Sequence, residues 1–262
     1  MAQPGKSVGT AAAVERLASA GRLLIGCDFD GTLAPIVDRP QDARPISGGM
    51  EALAALAALP ETEVALISGR SLHDLAVLAG PAPGITLIGG HGWEWSDGPD
   101  TALTEEQAHL LGQLVERSEQ IIRDVPGALV ERKPGSVAVH VRRSSRDDAA
   151  RVLQQVAGGP AAEAGVSVIN GKEVVELCVA DATKGTAIRE LRRRVDPSAV
   201  TYFGDDTTDE DAFAELAGTD TGFKVGEGPT RAAERLASPS DVRDVLASLA
   251  TLRAQHHPSG HP

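Results

Sequence analysis

The stretch that most constrains the fold is Leu23-Leu24-Ile25-Gly26-Cys27-Asp28-Phe29, where an unbroken apolar run leads straight into an acid. A strand solvated on one face alternates apolar and polar residues. A run without alternation marks a strand covered on both faces, as in a central parallel sheet. Glu63–Ser68 (EVALIS) and Thr86–Gly90 have the same character. Between the first two runs, Gly48–Leu59 reads as a helix, with Met50, Leu53, Leu56 and Leu59 about one turn apart and Pro60 after it. Ser71-Leu72-His73-Asp74 resembles a capping box that starts another helix. Strand, helix and strand in alternation predict an α/β fold with crossover helices. Ligands in such sheets bind beyond the carboxyl ends of the strands, where Asp28, Ser68 and the Gly89–Gly92 turn all fall.

The pattern changes near the turn-rich Ser96–Pro99. Thr104-Glu105-Glu106-Gln107 caps a long amphipathic helix whose apolar face holds Leu103, Leu110, Leu111, Leu114, Ile121 and Val125. Ala128–Lys133 and Ser136–Arg142 read as strands joined at the Pro134-Gly135 turn. The second sets Val137, Val139 and Val141 against Ala138, His140 and Arg142, which predicts one wet or functional face. A helix near Arg146–Ala157 and strands at Val166–Ile169 and Val174–Val179 complete a separate small α+β unit. The alternation resumes at Thr183, with a helix over Lys184–Arg194 and strand Ala199–Gly204. Helix Asp209–Ala217, strand Gly222–Val225 and a last helix near Asp241–Arg253 follow. The expected division is a core of residues 1–97 and 180–262, with residues 98–179 as the insert.

A formal charge of -12 argues against nucleic acid or an anionic membrane as partner, because both demand a basic face. A local cluster of Lys and Arg still permits an anionic small molecule. Cys27 and Cys178, the two cysteines, sit in apolar runs and read as buried thiols. Neither a basic-then-apolar leader nor a membrane-length apolar window occurs, so a soluble, cytoplasmic monomer is expected. Residues 1–12 are expected to be frayed, and the His- and Pro-rich tail His256–Pro262 disordered.

Four short motifs carry chemistry. Asp28-Phe29-Asp30-Gly31-Thr32-Leu33 follows the first strand. In that turn Asp28 can face a phosphorus atom as nucleophile, and Asp30 can serve as general acid and base. The backbone N–H groups around Gly31 and Thr32 can bind phosphoryl oxygens. Gly204-Asp205-Asp206-Thr207-Thr208-Asp209 follows another apolar strand. Its carboxylates suit Mg²⁺, with Asp205 as a direct ligand and Asp206 and Asp209 acting directly or through water. Ser68-Gly69-Arg70 places a hydroxyl at a strand end, and Lys184 opens a helix. A cation there opposes the helix dipole and makes sense beside an anion.

Taken in order, DFDGTL, SGR, TKG and GDDTTD resemble the four motifs of haloacid dehalogenase (HAD)-type phosphatases, across residues 20–96 and 180–250. Within that superfamily the chain is similar to the trehalose-6-phosphate phosphatases, through DFDGTLAP (28–35), Gly90-His91-Gly92, ERKPGSVAVHVR (131–142), Gly171–Glu176 and GDDTTDEDAF (204–213). The resemblance implies a Rossmann-like parallel-sheet core with an inserted α+β cap of the C2 type. It implies Asp28 as nucleophile, Asp30 as acid and base, and Mg²⁺ held by Asp28, the Asp30 carbonyl and Asp205. Phosphate contacts from Gly31, Thr32, Ser68, Gly69 and Lys184 follow as well. Sugar recognition falls to Glu131, Lys133, His140, Arg142 and Glu176 of the cap.

The same core also suits phosphatases of other disaccharide-like sugar phosphates, a phosphomannomutase, or a regulatory subunit that binds sugar phosphate without turnover. Three readings stay open from sequence: His91 as substrate contact or turn former, and Trp93 and Trp95 as core anchors or sugar-stacking rings.

Overall fold

In the computed structural model, residues 8–98, 103–171, 173–180 and 182–257 are described; expectations for residues 1–7, Pro99 and the tail beyond His257 lie outside them. In chain order the elements are α1 (Val8–Ala18), β1 (Leu23–Cys27), α2 (Gly49–Ala57), β2 (Thr62–Ile67), α3 (Leu72–Ala79), β3 (Ile85–Gly89) and β4 (Glu94–Trp95). Then come α4 (Glu105–Ile122), β5 (Leu129–Arg132), β6 (Ser136–His140), α5 (Arg146–Gly158), β7 (Ser167–Gly171) and β8 (Val174–Cys178). The last group is α6 (Lys184–Val195), β9 (Ala199–Gly204), α7 (Asp209–Ala214), β10 (Thr221–Val225), β11 (Glu234–Leu236) and α8 (Pro239–His256). The chain divides into two compact units, Met1–Pro99 with Thr183–Pro262, and Asp100–Ala182.

In the first unit the described strands form one sheet in the order β11-β10-β9-β1-β2-β3-β4. Every pairing is parallel except β3 with β4. All five residues of β1 are buried, as the unbroken apolar run requires. One face of the sheet carries Leu23, Ile25 and Phe203 against Leu17, Leu53, Leu56, Leu246 and Leu249. The other carries Leu24, Val200 and Tyr202 against Ile188, Leu191 and Phe213. Because strand residues alternate, neighbouring aromatics on β9 serve opposite cores. Phe203 stacks on Phe223 at 4.7 Å, whereas Tyr202 meets Phe213 edge-on at 5.5 Å. From β1 the chain builds β2 and β3 on one side and β9, β10 and β11 on the other. The boundary between β1 and β9 is therefore the topological switch point, where an open α/β sheet leaves a crevice.

Two expectations about the ends need correction. Helix α1 starts at Val8, so residues 8–12 are ordered; Thr10 is buried and its hydroxyl donates to Glu234 at 2.9 Å. The C-terminal helix extends to His256 because Arg253 anchors it. Arg253 is fully buried. It donates to Thr62 Oγ1 (2.6 Å) and to the carbonyls of Ala18, Ala20, Gly21 and Glu61. The guanidinium thus gathers carbonyls at the amino end of the sheet, where Glu61 O also accepts the Leu23 N–H and Ala20 O also meets His257 Nε2. Arg253→Met removes the buried donor that these acceptors share and should cost about 3 kcal/mol, read as a lower urea midpoint.

The second unit holds a sheet ordered β5-β6-β8-β7, with all described pairings antiparallel. Val137, Val139, Val175 and Leu177 pack on one face with Leu111, Leu114, Val152 and Val156 of α4 and α5. Thr104 and Gln107 form the reciprocal cap of α4. Leu103 and Val125 lie beyond the helix ends yet still pack on this core. No described helix is long and apolar enough to cross a membrane.

Candidate active site

The site grows out of the turn that ends β1. Asp28 N–H continues the ladder by donating to the Phe203 carbonyl at 2.9 Å. Gly31 N–H donates to Ala34 O (2.7 Å), and Leu33 and Ala34 both donate to Phe29 O, which closes a tight loop. Gly31 sits at φ +81°, and a Cβ there would lie 2.0 Å from Asp205 Oδ2. Only glycine lets the two acidic loops approach this closely. Thr32 is buried, with its hydroxyl 3.5 Å from Asp205 Oδ1.

Lys184 emerges from the first turn of α6, whose N-cap Thr183 forms a capping box with Thr186. Its Nζ is buried and donates to Asp28 Oδ1 at 2.6 Å and to Asp209 Oδ1 at 2.7 Å. The same Asp209 oxygen accepts from the Tyr202 hydroxyl at 2.7 Å. Asp209 Oδ2 accepts the N–H groups of Asp205 and Asp206, both at 2.9 Å. Both oxygens of Asp209 are therefore committed to four donors. Its work is to fix Lys184 and the Asp205–Asp206 backbone. Asp206 points its carboxylate to Thr207 N–H and is exposed. Lys224, buried on β10, donates to the Asp205 carbonyl.

Asp28, Asp205 and Asp209 each offer an oxygen, and these three atoms lie within 4.8 Å of one another. Three carboxylates thus face the two ammonium groups of Lys184 and Lys224. Burial pushes the Asp28 carboxyl well above the usual range, and the charges of Asp209 and Asp205 push it further against the pull of Lys184. Burial alone would lower the Lys184 ammonium, but Asp209 and Asp28 outweigh it and hold it above its ordinary value. Asp209 is held low by Lys184 against the opposing effect of burial. Asp205 is pushed up to about 6, by burial first and then by Asp209. Excess negative charge among hard oxygen donors is the environment that a divalent cation fits.

Asp30 is not part of that cluster. It forms a two-bond pair with Arg70, Nε to Oδ2 and Nη2 to Oδ1, both at 2.6 Å. Ser68 is buried, and its Oγ accepts the Arg70 N–H at 3.2 Å. Gly69 leaves room for the His91 ring, which would lie 2.4 Å from a Cβ there, and His91 N–H donates to Ser68 O at 2.9 Å. His91 therefore helps shape the turn, at φ +56°. Trp95 is an anchor: it pairs with Ile88, donates Nε1–H to Gly92 O, and carries the Arg194 guanidinium 4.3 Å over its ring.

In the second unit, the register places Glu131, Ala138, Glu176 and Ile169 in one row across the sheet, on the face opposite the helices. Lys133 Nζ donates to Glu176 Oε2 at 2.8 Å, and the Ser136 hydroxyl donates to Oε1 at 2.5 Å. His140 and Glu131 meet at 2.8 Å, and the His140 contact holds the Glu131 carboxyl low. Four of the expected cap residues thus share one face. Arg142 lies past the end of β6 and pairs with Glu173 at 3.6 Å. Cys178 is on the same face as Glu176, and burial pushes its thiol up to about 12, so it is unreactive.

The sequence model of the family described as Trehalose-phosphatase matches residues 27–242. The chain belongs to the trehalose-phosphatase family. Its relatives include the trehalose-phosphate phosphatase of Mycobacterium marinum, 35% identical over 239 residues, which covers 86% of this chain and 60% of that protein. The chain therefore spans less than two thirds of that relative's length. A trehalose-6-phosphate phosphatase related protein of known structure is 28% identical with a TM-score of 0.73, covering 88% of this chain and 99% of the other. The C-terminal domain of the Candida albicans trehalose-6-phosphate phosphatase superposes with a TM-score of 0.79 at 23% identity, over 94% of this chain and 98% of that one. That likeness concerns the fold: the parallel-sheet architecture of the HAD-type trehalose phosphatases.

Proposed function

We propose that this chain hydrolyses trehalose 6-phosphate to trehalose and phosphate by way of a phosphorylated Asp28. The observation that carries the reading is the buried Asp28 carboxylate, at the switch-point end of β1, held by Lys184 at 2.6 Å and close to Asp205. Asp28 attacks phosphorus while Asp30 protonates the departing sugar oxygen. Asp30 then deprotonates water, which displaces phosphate from Asp28. Lys184, pinned by Asp209, keeps Asp28 oriented and offsets the charge of the incoming phosphoryl group. Ser68 and the loop N–H groups at Thr32 and Gly69 take its oxygens; the Gly31 N–H, expected to join them, is held by the Ala34 carbonyl instead. A Mg²⁺ ion would be held by Asp28, Asp205 and the Asp30 carbonyl, and would supply electrostatic shielding between nucleophile and phosphate. Glu131, Lys133, His140 and Glu176 suit vicinal hydroxyls of a disaccharide, with Arg142 as a further contact.

The experiment is phosphate release from trehalose 6-phosphate beside sucrose, glucosylglycerate and mannose phosphates, each with and without Mg²⁺. Release that needs Mg²⁺ and favours the trehalose ester is expected; no release from any ester would leave a binding subunit. Cation binding should also depend on pH. Because the Asp205 carboxyl sits near 6, protons compete with the cation below that value. Mg²⁺ affinity, measured by calorimetry, should fall as pH is lowered through about 6, where the Asp205 carboxyl takes up its proton.

A further inference from the structure

The two acids of the first loop are divided between two cations. Asp28 goes to Lys184, and Asp30 goes to Arg70, forty residues along the chain. The second pair is built rather than casual. The Arg70 side chain is 14% exposed. Its guanidinium lies 5.6 Å over the ring of Phe29, which is fully buried. Its backbone is tied at both ends, N–H to Ser68 Oγ and carbonyl to Gly90 N–H at 2.7 Å. Two parallel bonds from one planar fork occupy one lone pair on each oxygen of Asp30. A carboxylate can hold both bonds; a carboxyl group carrying a proton must give one of them up, because that oxygen becomes a donor facing a donor.

We propose that Arg70 is a positioning residue that holds Asp30 in its base-ready orientation for the second half of the reaction. The inference rests on the phosphatase reading above and assigns a step to a residue which that reading leaves idle. In the first step the proton passes from Asp30 to the ester oxygen as the sugar O–P bond breaks and the Asp28 O–P bond forms. Asp30 is then a carboxylate, and Arg70 takes both of its oxygens, as in this structure. In the second step water attacks phosphorus, one of its protons goes to Asp30, the Asp28 O–P bond breaks, and one bond to Arg70 opens. Without the guanidinium, the carboxylate of the phosphorylated state turns freely. Water activation therefore suffers more than phosphoryl capture.

The test compares Arg70→Gln, Arg70→Lys and wild type on trehalose 6-phosphate and on p-nitrophenyl phosphate, whose leaving group needs no proton. A positioned general base is worth about 10²–10⁴-fold, and loss of its orientation alone should lower kcat of Arg70→Gln by about 10–100-fold and KM with it, leaving kcat/KM within about threefold of wild type. Rapid mixing with p-nitrophenyl phosphate should show a burst of nitrophenolate, larger than in wild type and approaching one per site, because phosphorylated Asp28 accumulates. Arg70→Lys, which keeps one charged donor, should fall between the two. A raised KM with kcat intact would make Arg70 a phosphate ligand and overturn the proposal. So would a lowered kcat without a burst, or a Lys variant no better than Gln. If wild type turned over the aryl ester but not trehalose 6-phosphate, and the burst still appeared in Arg70→Gln, the sugar assignment would fail and the role of Arg70 would stand.

Discussion

Asp28→Asn should abolish turnover while the protein stays folded. The amide keeps the shape of the carboxylate, and its oxygen still accepts from Lys184, so the 2.6 Å contact has a replacement. It cannot form an acyl phosphate. Phosphate release should fall by roughly 10⁴-fold or more, the scale on which losses of a covalent nucleophile lie. Stability should hold or rise slightly. Burial together with the charges of Asp209 and Asp205 disfavours the ionised form of Asp28, and the amide removes that charge. A urea midpoint within about 1 kcal/mol of wild type, together with lost release, is the expected pair of readings. Normal release from the variant would place the nucleophile elsewhere.

Lys184→Met should damage both stability and activity. Methionine fills a similar volume but leaves Asp28 and Asp209 facing each other without the ammonium between them. Removing one partner of a buried ion pair costs about 3–5 kcal/mol. The pH dependence identifies the cause. In wild type Lys184 depresses Asp209, which adds stability above the ordinary carboxylate range that is lost as pH falls through the lowered folded value. In the variant Asp209 is raised instead, and Asp28, already raised by burial, rises further. Their penalty is then present in full above the raised values and vanishes as pH falls below the unfolded ones. The gap between variant and wild type in urea unfolding should be widest near about pH 7, narrow towards about pH 4 and close only below it, as Asp209 is protonated in the wild-type fold. A gap independent of pH would mean that lost packing, not charge, is responsible. Activity should fall by about 10²–10³-fold, the usual loss when a preorganised electrostatic group is removed.

The central strands were legible because burial on both faces forbids alternation. Ala199–Gly204 runs from end to end of β9, and the expected run at Leu23 becomes β1. Edge strands carry no such mark. Glu94–Trp95 and Glu234–Leu236 are short and partly polar, and neither is among the expected strands. In the site, Asp28, Lys184 and Asp205 could be found because each stands at a strand end or helix start, positions where a charge needs an anionic or cationic neighbour. The partners of those residues were harder. Tyr202 lies in an apolar run and reads as core, yet its hydroxyl helps fix Asp209. Lys224 did leave a signal: a lysine inside the buried strand TGFKV requires an acceptor, here the Asp205 carbonyl. Arg70 left none, because its partner Asp30 is brought near only by the pairing of β1 with β2. Arg253, the end of the expected last helix, proves to be among the largest fully buried side chains of the described residues.

Chemical capture at the first acidic loop bears most directly on the account. Quenching the protein during turnover and reducing it with borohydride converts an acyl phosphate of aspartate to homoserine, which peptide mass spectrometry locates by residue. Homoserine at position 28, dependent on both substrate and Mg²⁺, is the predicted result. Conversion at Asp30 or Asp205 instead, or none while phosphate is being released, would contradict it.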